Sequence, residues 1–68
     1  MELVKLEGRG AVVTLNESEL LVLNAALNEV CNGINVQEFD TRIGSSKESV
    51  ANLLGNISRV LDQIELSN

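Results

Sequence analysis

LNESELLVLNAALNEVCNG, residues 15–33, decides the fold, because it carries the start, the apolar stripe and the end of one helix. Asn16 is a favoured N-cap residue, and Glu19 is placed to bond back to the N–H of the cap in a capping box. Gly33 predicts a left-handed residue just past the helix end. We therefore expect a central helix over residues 17–32, with an apolar stripe at the three-and-four spacing typical of helices: Leu20, Leu23, Leu27 and Val30.

The segment before this helix predicts a β-hairpin over residues 2–15. Residues 2–7 (ELVKLE) and 11–15 (AVVTL) are short β-rich runs, and the three-residue loop Gly8–Gly10 separates them. A two-stranded hairpin is only marginally stable in water. We therefore expect it to pack on the central helix or to pair with the hairpin of another copy, and its free edge is a docking surface.

A short helix over residues 36–43 follows the central helix. Asn35 and Glu38 repeat the pattern of a cap residue and an acid three positions later, and Gly44 ends the segment. Its apolar residues fall on one side, at the spacing of a helix: Val36, Phe39 and Ile43.

A C-terminal helix over residues 46–65 is predicted to open with a capping box formed by Ser45 and Glu48. Its apolar residues alternate three and four apart in an a/d pattern, which we call the C-terminal seam: Val50, Leu53, Ile57, Val60 and Ile64. This seam is the candidate interaction face, because it suits packing on its own domain, pairing with a second helix, or both. Gly55 lies off the seam.

These elements predict a single α+β domain over residues 1–68 in ββαα order. The N-terminal β-hairpin packs on two main helices with a short helical turn between them. The expected core combines the inward residues of every element: Val4, Leu6, Val13, Leu15, Leu20, Leu23, Leu27, Val30, Phe39, Ile43, Val50, Leu53, Leu54, Ile57 and Leu61.

Length and composition favour association. A chain of 68 residues with 44% apolar residues has one cysteine and no histidine. It can therefore form neither an intramolecular disulfide nor a typical zinc site, and a chain of this size buries only about 60% of its unfolded surface. Association is a simple way to gain burial. We expect a homodimer or a complex with a protein partner.

The sequence gives little support for catalysis. Without histidine the usual base at neutral pH is absent. Cys31 lies in the last turn of the central helix, where the negative end of the dipole disfavours a thiolate, so it is expected to be a packed residue. We therefore predict that the chain is not an enzyme, with no catalytic, cofactor-binding or metal-binding residues and no cofactor.

The sequence also predicts a location. The first residues have no apolar signal segment, and no run approaches the roughly 18 apolar residues of a membrane span. The net charge of −5 disfavours nucleic acid and anionic membranes as partners. A lone cysteine without an export signal predicts a cytoplasmic protein that does not enter the membrane.

A second hypothesis concerns DNA. Residues 36–57 resemble the helix-turn-helix unit of bacterial repressors, which would make the chain a DNA-binding regulator. Asp40 and Ser45 depart from the usual small and aliphatic residues of that motif, and the unit offers only Arg42 and Lys47 to phosphates. The side chains expected to contact DNA are Arg42, Ser45, Ser46, Lys47, Ser49 and Asn52.

Nearly the whole chain resembles short uncharacterised bacterial proteins with an "LNALNEVCNG…EF.TRIG" core, for which no activity is established, and the resemblance implies a bacterial, cytoplasmic origin. The main hypothesis is a non-enzymatic protein-interaction or self-assembly module. The third hypothesis, after DNA binding, is a small acidic inhibitor or immunity-type partner of a basic protein.

Overall fold

The computed structural model describes residues 1–67 and has an α+β fold in ββαα order, as predicted. An antiparallel hairpin precedes two main helices with a short helix between them. The elements are β1 (Glu2–Glu7), β2 (Gly10–Thr14), α1 (Glu17–Asn28) with a π-helical turn (Glu29–Gly33), α2 (Phe39–Ile43) and α3 (Lys47–Ser67).

The hairpin turn is tighter than predicted. Glu7 pairs with Gly10, so the loop has two residues and Gly10 already belongs to β2. Gly8 has a φ of 55°, the positive value that the first central position of a primed hairpin turn requires. A β-bulge between Leu3 and Lys5 interrupts the ladder on the β1 side. The bulge makes β1 the irregular strand of the pair.

The start of α1 confirms the predicted capping box. The backbone N–H of Glu19 donates to Asn16 Oδ1 at 2.8 Å, and the backbone N–H of Asn16 donates to Glu19 Oε1 at 3.0 Å. Both bonds join residues three apart in sequence, so local sequence is enough to specify them.

The end of α1 corrects the prediction for Gly33, which does not adopt a positive φ. The helix widens instead into the π-helical turn, and the N–H of Ile34 donates to the carbonyl of Glu29 at 2.9 Å. This bond satisfies a carbonyl at the helix end without a left-handed residue, since the chain leaves the helix in an extended conformation at Ile34.

The start of α2 also differs from the prediction. No capping box forms between Asn35 and Glu38; Glu38 is itself the cap residue, in a left-handed conformation with a φ of 53°. Its carbonyl accepts from the N–H groups of Thr41 and Arg42, so the helix begins only at Phe39. Gly44, with a φ of 88°, ends the helix as predicted.

The cap of α3 lies one residue later than predicted. Ser46 Oγ, rather than Ser45, accepts from the backbone N–H at the third helical position, which belongs to Ser49, at 3.1 Å. The Ser46 hydroxyl also donates to Ser49 Oγ at 3.0 Å. The helix extends to Ser67, beyond the predicted end.

The core lies between α1, its π-helical turn and α3, where Leu20, Cys31 and Val50 are the only buried residues among residues 1–67. Half-buried side chains surround them: Leu15, Leu27, Val30, Phe39, Leu54, Ile57 and Leu61. Six residues of the predicted core are exposed, which corrects that prediction: Val4, Leu6, Val13, Leu23, Ile43 and Leu53. Every residue of β1 and β2 is exposed, because within residues 1–67 the hairpin makes few contacts with the helices.

Candidate interaction surface

Two apolar clefts meet at Leu15, where the hairpin joins the helices, and we call them together the Leu15 surface. The first has a volume of about 350 Å³ and lies between the chain start and α1; it is lined by Met1, Leu15, Ser18, Glu19, Val22 and Leu23. The second, of about 410 Å³, lies between β2 and α3; it is lined by Val13, Leu15, Leu20, Asn56, Ile57 and Val60. The surface therefore combines side chains of three elements that are distant in sequence.

Helix α1 has apolar side chains on the side that packs on α3 and also on sides that remain exposed. Leu20 faces α3 and is buried, whereas Leu21 is 53% and Val22 is 68% exposed. Helices that are apolar on all sides are usually buried on all sides. The run Leu20–Leu23 carries the signal that sequence reasoning missed, because four consecutive apolar residues cannot all face one side of a helix.

The chain exposes more surface than a compact protein of its size. Its accessible surface is 5376 Å², whereas a monomer of 7.3 kDa is expected to expose about 4,200 Å². The excess is roughly 1,200 Å². The radius of gyration of 13.6 Å also exceeds the roughly 11 Å expected for this length, and the molecule is flat, at 37 × 31 × 16 Å.

The structure divides the C-terminal seam between two environments. Val50 is buried, and Ile57 and Ile64 are half-buried. Leu53 and Val60 are about half exposed, at 51% and 47%. One part of the seam therefore belongs to the core of this chain, and the rest is open. The role of the seam in binding stays a prediction.

The side chains predicted to contact DNA lie around α2 and the start of α3. Arg42, Ser45, Lys47, Ser49 and Asn52 are exposed, whereas Ser46 is half-buried and caps α3. Helix α2 spans five residues, which is about one and a half turns. DNA contact by these residues stays a prediction.

Charges are sparse on the Leu15 surface, where Glu19 is the one ionisable side chain in the lining of the two clefts. The N-terminal ammonium of Met1 donates to Glu19 Oε2, and the backbone N–H of Asn16 donates to Oε1. Both hydrogen bonds hold the pKa of Glu19 below its ordinary value, and the bond from the N-terminal ammonium contributes more than the bond from Asn16. On the hairpin, Lys5 Nζ pairs with Glu7 Oε1 at 3.1 Å.

Cys31 is packed, as predicted, since it is only 3% exposed. Within residues 1–67, no group of three or more carboxylate, cysteine or histidine side chains is placed to hold a metal ion. In the same part of the chain, no helix combines the length and apolarity required to cross a lipid bilayer.

Comparison of the chain with protein-family models, curated proteins and solved structures finds no match. The resemblance to short bacterial proteins therefore stays a prediction.

Proposed function

We propose that this chain is a non-enzymatic protein-interaction module that completes its apolar core by self-association. The observation that carries the proposal is the accessible surface of 5376 Å², which exceeds the expected value for a compact monomer by roughly 1,200 Å². A stable protein–protein interface needs about 800 Å² from each partner. The excess is therefore large enough to supply one interface of ordinary size.

The chemistry of the exposed surface supports this proposal. The open residues of the Leu15 surface are mostly aliphatic, and the net charge of −5 is carried mostly by side chains outside it. Removing aliphatic side chains from water is the main favourable term in association. The charges that remain exposed keep the assembled protein in solution.

The composition of the chain argues against catalysis and against DNA binding. The chain has no histidine, and its one thiol lies in the core. Ten acidic residues outnumber five basic ones, whereas DNA affinity depends on Lys and Arg neutralising phosphates. Self-association is therefore better supported than either catalysis or DNA binding.

Sedimentation velocity over a hundredfold range of protein concentration tests the proposal. The weight-average sedimentation coefficient should rise with concentration to that of a dimer, and a labelled mixed-sequence DNA duplex at low salt should sediment as free DNA. A coefficient that stays at the monomer value throughout would refute self-association. Movement of the DNA boundary with the protein would support the helix-turn-helix hypothesis instead.

A pair of variants connects association with the Leu15 surface. Val60→Asp places a carboxylate in the cleft between β2 and α3, so it should weaken association. Leu66→Asp is the matched control, because Leu66 is 80% exposed and lies outside both clefts. Equal association of Val60→Asp and wild type would exclude this cleft from the interface.

A further inference from the structure

We infer that the partner is a second copy of this chain, and that the outer edge of β2 pairs with the same edge of that copy to form a four-stranded antiparallel sheet. The inference rests on the proposed function, and it adds the interface and its symmetry. It follows from a difference between the two edges of the hairpin.

The β1 edge carries features that prevent edge-to-edge pairing. The bulge between Leu3 and Lys5 breaks the regular spacing of its backbone groups. Lys5 and Glu7 place an ion pair on this strand, and Glu2 adds a further charge. Natural sheets use bulges and charged side chains to protect their edge strands from other chains. The β1 edge is therefore unsuited to pairing.

The β2 edge lacks these features. Its five residues, Gly10–Thr14 (GAVVT), include no charged residue and no proline. All five are exposed, and within residues 1–67 no backbone hydrogen bond joins β2 to any element other than β1. An uncharged, exposed and regular strand edge is a template for another strand.

The hairpin register also determines how two β2 strands would pair. Glu7 and Gly10 close the two-residue turn, and antiparallel pairs alternate between hydrogen-bonded and non-hydrogen-bonded. The backbone groups of Val12 therefore face β1, whereas those of Ala11 and Val13 face outward. A twofold axis at Val12 lets Ala11 and Val13 of one copy exchange hydrogen bonds with Val13 and Ala11 of the second copy.

The same symmetry brings the two Val12 side chains together. Val12 would meet Val12 of the second copy as a non-hydrogen-bonded pair, in which side chains approach most closely. Val12 is aliphatic and 39% exposed, so such a pair removes two β-branched side chains from water. The sheet would also continue the apolar surface that Val13 contributes to the cleft beside α3.

Charge substitutions at Val12 test the inference. In Val12→Glu, the new carboxylate faces its own copy across the axis, so the dissociation constant of the dimer should rise about tenfold or more. The hairpin itself should persist, because Lys5 is the β1 partner of position 12 and attracts the carboxylate. Val12→Lys should also weaken the dimer, because its ammonium faces its own copy across the axis, although Lys5 also repels it within the hairpin. An equimolar mixture of the two variants should restore association as a heterodimer.

A control variant and a second measurement distinguish the loss of β2 edge pairing from a general destabilisation of the fold. Leu6→Glu places a charge at a 73% exposed position on β1 and should leave the dimer intact. Amide hydrogen exchange at Ala11 and Val13 should slow as protein concentration rises, whereas Val12, already bonded to β1, should change little.

The outcomes distinguish this inference from the proposed function. If wild type dimerises and Val12→Glu dimerises equally well, the β2 edge is not the interface and the proposed function stands. The inference would also be overturned if the mixed variants failed to associate, or if amide hydrogen exchange at Ala11 did not depend on protein concentration. A wild type that stays monomeric would overturn both.

Discussion

The Ser58 hydroxyl of α3 donates a hydrogen bond of 2.7 Å to Asn24 Oδ1 of α1, across the interface between the two main helices. Both side chains are part-buried, and they are 34 positions apart in sequence. The bond therefore links the two main helices directly.

Ser58→Ala and Asn24→Ala should each lower the free energy of unfolding by about 1 kcal/mol, the usual net contribution of such a hydrogen bond. The double variant should cost less than the sum of the two, because both remove the same interaction. Urea unfolding at one fixed protein concentration measures this, since association contributes to apparent stability. Ser67→Ala, which loses an exposed bond to the carbonyl of Gln63, should change stability by less than about 0.5 kcal/mol. Additive losses would show that the two side chains act independently.

Asn16→Ala should destabilise the chain by about 1 kcal/mol, because it removes the acceptor for the N–H of Glu19 at the start of α1. Asn35→Ala is the matched control. Asn35 precedes α2 with the same sequence pattern but makes no cap, so its loss should be close to neutral. Thermal unfolding of both variants measures the difference. A larger loss for Asn35→Ala would contradict the assignment of caps.

Gly55→Ala should stabilise the chain by about 1 kcal/mol, the difference in helix propensity between the two residues. Among the atoms of residues 1–67, a Cβ at position 55 would meet only Arg59 Nη1, at an unstrained 3.9 Å. Gly44→Ala should have the opposite effect, since Gly44 has a φ of 88°, which L-residues rarely adopt. Unfolding midpoints of the two variants should therefore move in opposite directions. Destabilisation by Gly55→Ala would indicate that another chain approaches this position closely.

Stability should depend on the ionisation of Glu19. Its pKa in the folded chain lies below the ordinary value of 4.5, because the N-terminal ammonium and the N–H of Asn16 both stabilise the carboxylate. A depressed pKa stabilises the fold above the ordinary value, and this contribution is lost as the pH falls through the folded pKa. The difference in urea midpoint between wild type and Glu19→Gln should be largest near neutral pH and shrink below pH 4.5. A difference independent of pH would contradict this account.

Much of the local structure could be predicted from the sequence. The capping box of Asn16 and Glu19 depends on groups three residues apart, and the left-handed Gly44 depends on one residue without a Cβ. The wrong predictions of helix caps have a common cause. Ser45 and Ser46 are both good cap residues, as is Asn35, and the choice between neighbouring candidates depends on how the chain enters the helix. Glu38 shows this, because its left-handed backbone starts α2 at a position that no propensity favours.

The open surface could not be predicted from the sequence. Alternation and helical periodicity identify which residues share a face, and they placed Val4, Leu6 and Val13 in the core. They do not show whether another layer covers that face, and in the described part of the chain these three side chains stay exposed. Val22 was missed for a different reason: the stripe along α1 was assigned to one side, although the apolar run Leu20–Leu23 continues around the helix.

The uncovered hairpin has a calorimetric consequence. The heat-capacity increase on unfolding arises mainly from apolar groups that become hydrated, and it averages about 12–15 cal/mol/K per residue in globular domains. Much of the apolar surface of β1, β2 and α1 is already hydrated in the single folded chain. The heat-capacity increase on unfolding of the single chain should therefore be smaller, per residue, than that average. Association of two chains should in turn show a negative heat-capacity change, because it buries this apolar surface.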